Sequence, residues 1–188
     1  MTATIAEQTY AVLDLPDPVA GKVMAIRQKH RDAFRSALPA EVTVVGSSGV
    51  GCFTPGSVAA DVLGALDRIA EDTRPIQTSL DGVHRFPETD IFVFLFTDKD
   101  EIRQLHERIA GSGLSFLPNP WPFEPHVTLR SRSPVTDDEA ASLLAERIPE
   151  PFRLDRLSVY ELREDPSGGS PVICELLHRT RLGTGDRQ

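Results

Sequence analysis

One pattern occurs twice along this chain and limits what it can fold into. Tyr10–Leu15 (YAVLDL) is a short apolar run stopped by Pro16 and Pro18, which reads as a strand. From Val19, helical spacing carries Val23, Ile26, Ala33, Phe34 and Ala37 up to Leu38 and Pro39, and the β-branched run Val42–Val45 follows directly. The second copy opens with Ile91–Thr97 (IFVFLFT), almost wholly apolar, as a strand covered on both faces would be. A helix with Ile102, Leu105 and Ile109 on one face comes next, Gly111 ends it, and the strand His126–Ser131 (HVTLRS) closes the unit. Tyr10 to Thr43 spans 33 residues and Phe92 to Thr128 spans 36, by subtraction of the residue numbers. Two copies of one strand-helix-strand unit predict a bilobal α+β domain, mostly antiparallel, with the two Val-Thr strands facing each other across a central cleft.

The remaining segments fit around that duplication. A helix starts near Thr54 or Ser57, either of which can cap it, and carries Val58, Val62, Leu66 and Ile69 on one face. Arg74–Phe86 is extended and interrupted at Asp81-Gly82. Asp98 with Glu101 is a capping pair for the helix of the second copy, and Thr136 with Glu139 matches a capping box that opens a helix through Ala140, Leu144 and Ile148. Phe152–Arg163 and Val172–His178 are two strands joined by the turn-rich Asp165–Ser170. Residues 10–182 are therefore expected to form a single domain, with flexible ends at 1–9 and 183–188.

Composition narrows the classes of function. The chain has 188 residues and a formal charge of −8, so an extended phosphate backbone is repelled and long nucleic acid is not an expected partner, whereas a small ligand is. Cys52 and Cys174 belong to no CxxC pair or Cys/His cluster, which argues against a disulfide scaffold or zinc site and for a reducing compartment. No segment approaches the ~20 apolar residues of a bilayer span, and Met1–Gln8 lacks the basic start and apolar run of a signal peptide. A cytoplasmic monomer without membrane association is the expectation.

Alternation in a strand sends His126, Thr128 and Arg130 to one face and Val127 and Leu129 to the other. The first set combines a proton-transfer group, a hydroxyl and a fixed positive charge, which together can hold and attack a phosphate. Trp121 and Phe123, in the proline-rich loop just before it, can stack on a base or plug the structure. Gly46–Gly51 (GSSGVG) lacks the Lys-Ser/Thr ending of a P-loop and reads as a mobile lid or a connector.

The stretch Pro125-His126-Val127-Thr128-Leu129, after aromatic and proline residues and echoed by Val42-Thr43-Val44, resembles the two-histidine phosphoesterase superfamily. That superfamily includes 2′-5′ RNA ligase-like proteins and cyclic nucleotide phosphodiesterases. The resemblance runs from about Tyr10 to His178. It implies one His-x-Thr motif per lobe, two histidines as general acid and base on a 2′,3′-cyclic phosphate or related ester, two hydroxyls on the phosphate oxygens, and no metal or other cofactor. The second motif is intact as His126 and Thr128. The first reads Glu41-Val42-Thr43, so the hydroxyl is kept and glutamate replaces histidine.

The physics of that replacement cuts both ways. Ionised, Glu41 repels a phosphate; with a raised pKa it could donate a proton to the leaving oxygen while His126 activates water. The opposite assignment, Glu41 as base and His126 as acid, stays open, as does binding without turnover. Among the other histidines, His84 on the extended segment is the leading substitute for the missing one. His30 lies on the apolar stripe of the first helix, His106 at a helix edge and His178 near the end of the last strand, in structural or solvated roles; none has a metal-ligand spacing. The resemblance thus implies a phosphoesterase for small nucleotides or RNA ends with Thr43, Thr128 and Arg130 on the phosphate, or a catalytically impaired binding protein of the same fold.

Overall fold

The computed structural model describes residues 3–6 and 8–183. In chain order the elements are β1 (Gln8–Asp14), α1 (Val19–Lys29), α2 (Ala33–Ser36), β2 (Glu41–Val45), α3 (Ala59–Glu71), β3 (Ile76–Thr78), β4 (Leu80–Arg85), β5 (Phe92–Phe96), α4 (Asp100–Ala110), β6 (His126–Arg130), α5 (Asp137–Leu144), β7 (Phe152–Leu154), β8 (Arg156–Arg163) and β9 (Ile173–Arg181). The duplication is present. β1 pairs antiparallel with β2 across α1, and β5 pairs antiparallel with β6 across α4. The first sheet has the order β2-β1-β8-β9 and the second β4-β5-β6. A two-stranded β3-β7 pair joins the lobes, because β3 runs into β4 of the second sheet and β7 into β8 of the first.

Alternation builds the core. Ala11, Leu13, Val42 and Val44 from the first sheet and Phe94, Val127 and Leu129 from the second are fully buried, and they pack in one cluster with Val23, Leu66, Ile102, Leu105 and Ile109 of the helices. The opposite face of the first sheet carries a smaller cluster, Tyr10, Val12 and Tyr160 with Cys52.

Several local expectations are corrected. The long first helix is broken: α1 stops at Lys29, Arg31 takes a left-handed φ of 56°, and Asp32 caps the short α2 by accepting the Arg35 amide at 2.7 Å. The same Asp32 carboxylate accepts the Ser131 amide at 2.6 Å, so the break is also where the first copy is tied to the end of β6. Neither Thr54 nor Ser57 caps α3 through its side chain; Ser57 Oγ donates back to the Thr54 carbonyl at 2.7 Å instead. Asp98 does not cap α4 in the expected box but accepts the Asp100 amide at 3.0 Å, and Lys99 is the N-cap. The Thr136–Glu139 capping box forms, yet α5 ends at Leu144, and Leu143 rather than Leu144 faces the core. Phe152–Arg163 is divided at Asp155, whose carbonyl accepts the Leu182 amide at 2.9 Å. His106 is buried rather than at an edge.

Before β1, Ile5 is buried and exchanges backbone hydrogen bonds with Ser57 and Gly56. The expected flexibility of 183–188 falls, beyond Gly183, outside the described residues. No helix among the described residues is long and apolar enough to cross a membrane.

Candidate functional site

β2 and β6 are the edge strands of their sheets and lie against each other. Hydrogen bonds at both ends show that they run in opposite directions. Past the end of β2, the Gly49 and Gly51 amides donate to the Trp121 and Leu117 carbonyls at 2.8 and 3.1 Å, in the loop that precedes β6. Before the start of β2, Asp32 accepts the Ser131 amide just past β6, and Arg27 reaches the middle of β6. Its Nε donates to the Thr128 carbonyl at 3.0 Å while Nη1 donates to the carbonyls of Arg35, Leu38 and Pro39. Thr43 and Thr128 therefore come near the centre of the paired strands, with Glu41 and His126 displaced to opposite sides. The glycine loop is a connector whose Gly49 and Gly51 amides are engaged with the proline loop.

Glu41 is only 4% exposed and accepts the Thr43 hydroxyl at 3.0 Å. Burial pushes its carboxyl above the ordinary range; the Arg27 and Arg35 guanidinium groups and the Thr43 hydroxyl pull the other way, and Asp14 adds to the rise. Arg27 is fully buried, and desolvation brings it down to about 10.

His126 presents the complementary case. Its Nδ1 lies 2.6 Å from the Glu124 carbonyl, which only accepts, so Nδ1–H donates and Nε2 is left with its lone pair. The Phe86 ring meets the imidazole edge-on at 5.1 Å and 81°. Burial lowers the His126 pKa and Arg35 lowers it further, against the Glu124 carbonyl, which raises it. Glu124 is itself held at α4 by Lys99 and by Arg103 at 3.0 Å. Arg35 is thus a charge shared by Glu41 and His126, and it donates to Ser131 Oγ at 3.0 Å.

The other sequence-selected residues divide. Thr128 shares the His126 face: Leu95 opposes His126 and Val93 opposes Thr128 across the β5-β6 pairing. Arg130 does not share it. A register shift makes Phe92 its partner, so β6 uses one extra residue there and Arg130 turns to the face opposite Thr128. Its guanidinium donates to the carbonyls of His30 and, at 3.2 Å, Pro134. His84 opposes Val93 on β4, two strand spacings or about 10 Å from Thr128. Its exposed ring pairs with Asp81 at 3.3 Å. Trp121 is 68% exposed, and Phe123 is stacked on His106 at 3.8 Å, whose Nδ1 is 2.8 Å from the Val44 carbonyl. His30 Nε2 lies 2.9 Å from Glu146 and His178 Nε2 lies 2.7 Å from Asp67, both in structural contacts.

Sequence reasoning missed the arginines. Arg27 and Arg35 belong to the site, and Arg132, close enough to Arg35 to depress its pKa, lies over the Phe34 ring at 3.5 Å. The only signal was Arg27 beside Ile26 in the apolar stripe of α1, which marks a buried arginine without saying what it faces. Phe34 and Arg132 form one wall of a cleft of about 810 Å³, and Leu162, Arg163, Val172 and Ile173 from the β8-β9 hairpin form another. No group of three or more His, Cys, Asp or Glu among the described residues is arranged to hold a metal ion.

This fold is found in known proteins. The model of the 2′-5′ RNA ligase superfamily matches residues 15–166, and the chain belongs to that superfamily. E. coli LigT complexed with 3′-AMP superposes with a TM-score of 0.62 at 18% identity over 94% of this chain and 98% of LigT. The Thermus thermophilus protein TT0787 gives 0.62 at 17% identity over 95% and 99%. A structure described as a phosphoesterase gives 0.61 at 16% identity over 95% and 99%. At these identities the likeness is one of fold. No curated protein matches the chain.

Proposed function

We propose that the protein is a metal-independent phosphoesterase for 2′,3′-cyclic phosphates or 2′-5′ linked nucleotide and RNA ends, with Glu41 as general acid and His126 as general base. The observation that carries the assignment is the opposite displacement of the two groups. Burial favours a neutral His126, whose Nε2 keeps a lone pair for the proton of an attacking water, and a protonated Glu41, which holds a proton for the leaving oxygen. The reverse assignment needs a charged histidine and a charged glutamate, the two forms that burial disfavours. Arg35, within electrostatic reach of both groups, supplies the positive charge that a phosphate requires, in place of Arg130. Membership in the superfamily supports the reaction class, and a nucleotide as the bound species accords with LigT, which is known with 3′-AMP, NADP+ and ATP.

A second reading, binding without turnover, is favoured by one observation: Glu41 is almost wholly covered, and the Thr43 hydroxyl is turned to it. Incubation with 2′,3′-cyclic nucleotides separates the two. Under the hydrolase reading the wild type turns over, and His126→Ala and Glu41→Gln each lose roughly 10²–10⁴ in rate. A silent wild type that gains activity as Glu41→His supports the binding reading. Turnover indifferent to His126→Ala removes the proposed site.

A further inference from the structure

Asp14 stands directly opposite Glu41 in the β1-β2 pairing, which puts the two side chains next to each other on one face of the first sheet. One oxygen of Asp14 is fully engaged. Oδ2 accepts Ser158 Oγ at 2.7 Å and Arg179 Nε at 2.8 Å, and Arg179 also donates to the Tyr160 hydroxyl at 3.0 Å. The other oxygen, Oδ1, is buried and has no hydrogen-bond partner among the described residues. A buried acceptor without a donor is costly, and such a group in a folded protein calls for an explanation. The neighbour across the strands, Glu41, is a group that burial drives toward its protonated form, and a protonated carboxyl is a donor.

We propose that Asp14 and Glu41 act as a carboxyl pair holding one proton between them, with Asp14 as the positioning residue that reinforces the protonation of buried Glu41 and Arg179 as the cation that anchors Asp14. This deepens the general-acid reading of Glu41 and rests on it for its bearing on catalysis. The charges balance: two carboxyl groups with one proton carry a single negative charge, faced by Arg179 from β9 and by Arg27 and Arg35 from α1 and α2. The remaining groups that bear on Glu41 are the Thr43 hydroxyl on β2 and Tyr10 on β1, whose phenol is kept neutral first by burial and then by Glu41; Cys174 on β9 meets the Tyr10 hydroxyl at 3.4 Å. Like charges on adjacent carboxyls oppose double ionisation, so Glu41 surrenders its proton at a pH above that of an isolated glutamate.

The test is a ¹³C NMR pH titration of side-chain carboxyl carbons in the full-length protein, with the Glu41 signal identified by its loss in Glu41→Gln. The wild-type signal is expected to titrate above the ordinary glutamate range. Asp14→Asn removes the like charge and offers an amide donor to ionised Glu41, so the midpoint should fall by about one to two pH units. Arg179→Met frees the Asp14 charge and should move it up. A lesion that merely loosened the sheet would not shift the two variants in opposite directions. An ordinary wild-type midpoint, or the same midpoint in both variants, overturns the pairing. Turnover of 2′,3′-cyclic nucleotides is read in parallel: opposite shifts without turnover leave the pair standing and remove the hydrolase reading, and turnover with indifferent titrations does the reverse.

Discussion

Thr43 donates its hydroxyl to Glu41 at 3.0 Å, two residues apart on the same face of β2. That bond favours the ionised carboxylate, so it works against the burial that protonates Glu41. Thr43→Val is expected to move the alkaline limb of the rate profile to higher pH and leave the acid limb in place. A pH series of kcat/KM on a 2′,3′-cyclic nucleotide measures both limbs.

The wild-type profile follows from the same directions. His126 must be neutral, and its pKa is lowered, so activity should persist below the ordinary histidine value of about 6.5 and fail only at more acid pH. Glu41 must be protonated, and its pKa is raised, so activity falls as pH rises through that displaced value. Arg35 depresses both groups, and Arg35→Met should move both limbs upward. A limb that moves down contradicts the shared-charge arrangement.

Arg27 is the tie between the lobes. Its donors satisfy carbonyls at the entry to β2 and in the middle of β6, and its own side chain is fully buried. Arg27→Met keeps the volume and leaves those carbonyls unsatisfied. It should cost about 3 kcal/mol or more, seen as a lower urea midpoint with an unchanged slope.

Gly49 has φ of 71°, and a Cβ there would run into His106 Nε2 and come within 2.9 Å of Phe123 Cβ. Gly49→Ala is therefore strained in backbone and in packing. A loss of about 2 kcal/mol is expected, together with a change in the near-ultraviolet circular dichroism as the His106-Phe123 stack is displaced.

The legible parts of the fold were those with a strong local pattern. Alternation and β-branching marked β2 and β6, the capping box marked the start of α5, and the duplicated order implied that the two Val-Thr strands would face each other. The illegible parts depended on a single backbone event or on a distant partner. The left-handed Arg31 broke the first helix, and one extra residue in β6 turned Arg130 away from Thr128. Arg35 carries no mark in the sequence, and the break at Asp32 brings it within electrostatic reach of both Glu41 and His126.

The sequence by itself determined that the chain is duplicated, that each copy ends in a Val-Thr strand, and that Glu41 stands two residues before Thr43 as His126 stands two residues before Thr128. Those are properties of residue type and period, which act locally. Only the tertiary structure decided what that glutamate is. Its protonation depends on how completely the lobes exclude water from it, on two arginines from the broken helix, and on Asp14 across the strand, and all of these are set by the packing of segments far apart in the chain.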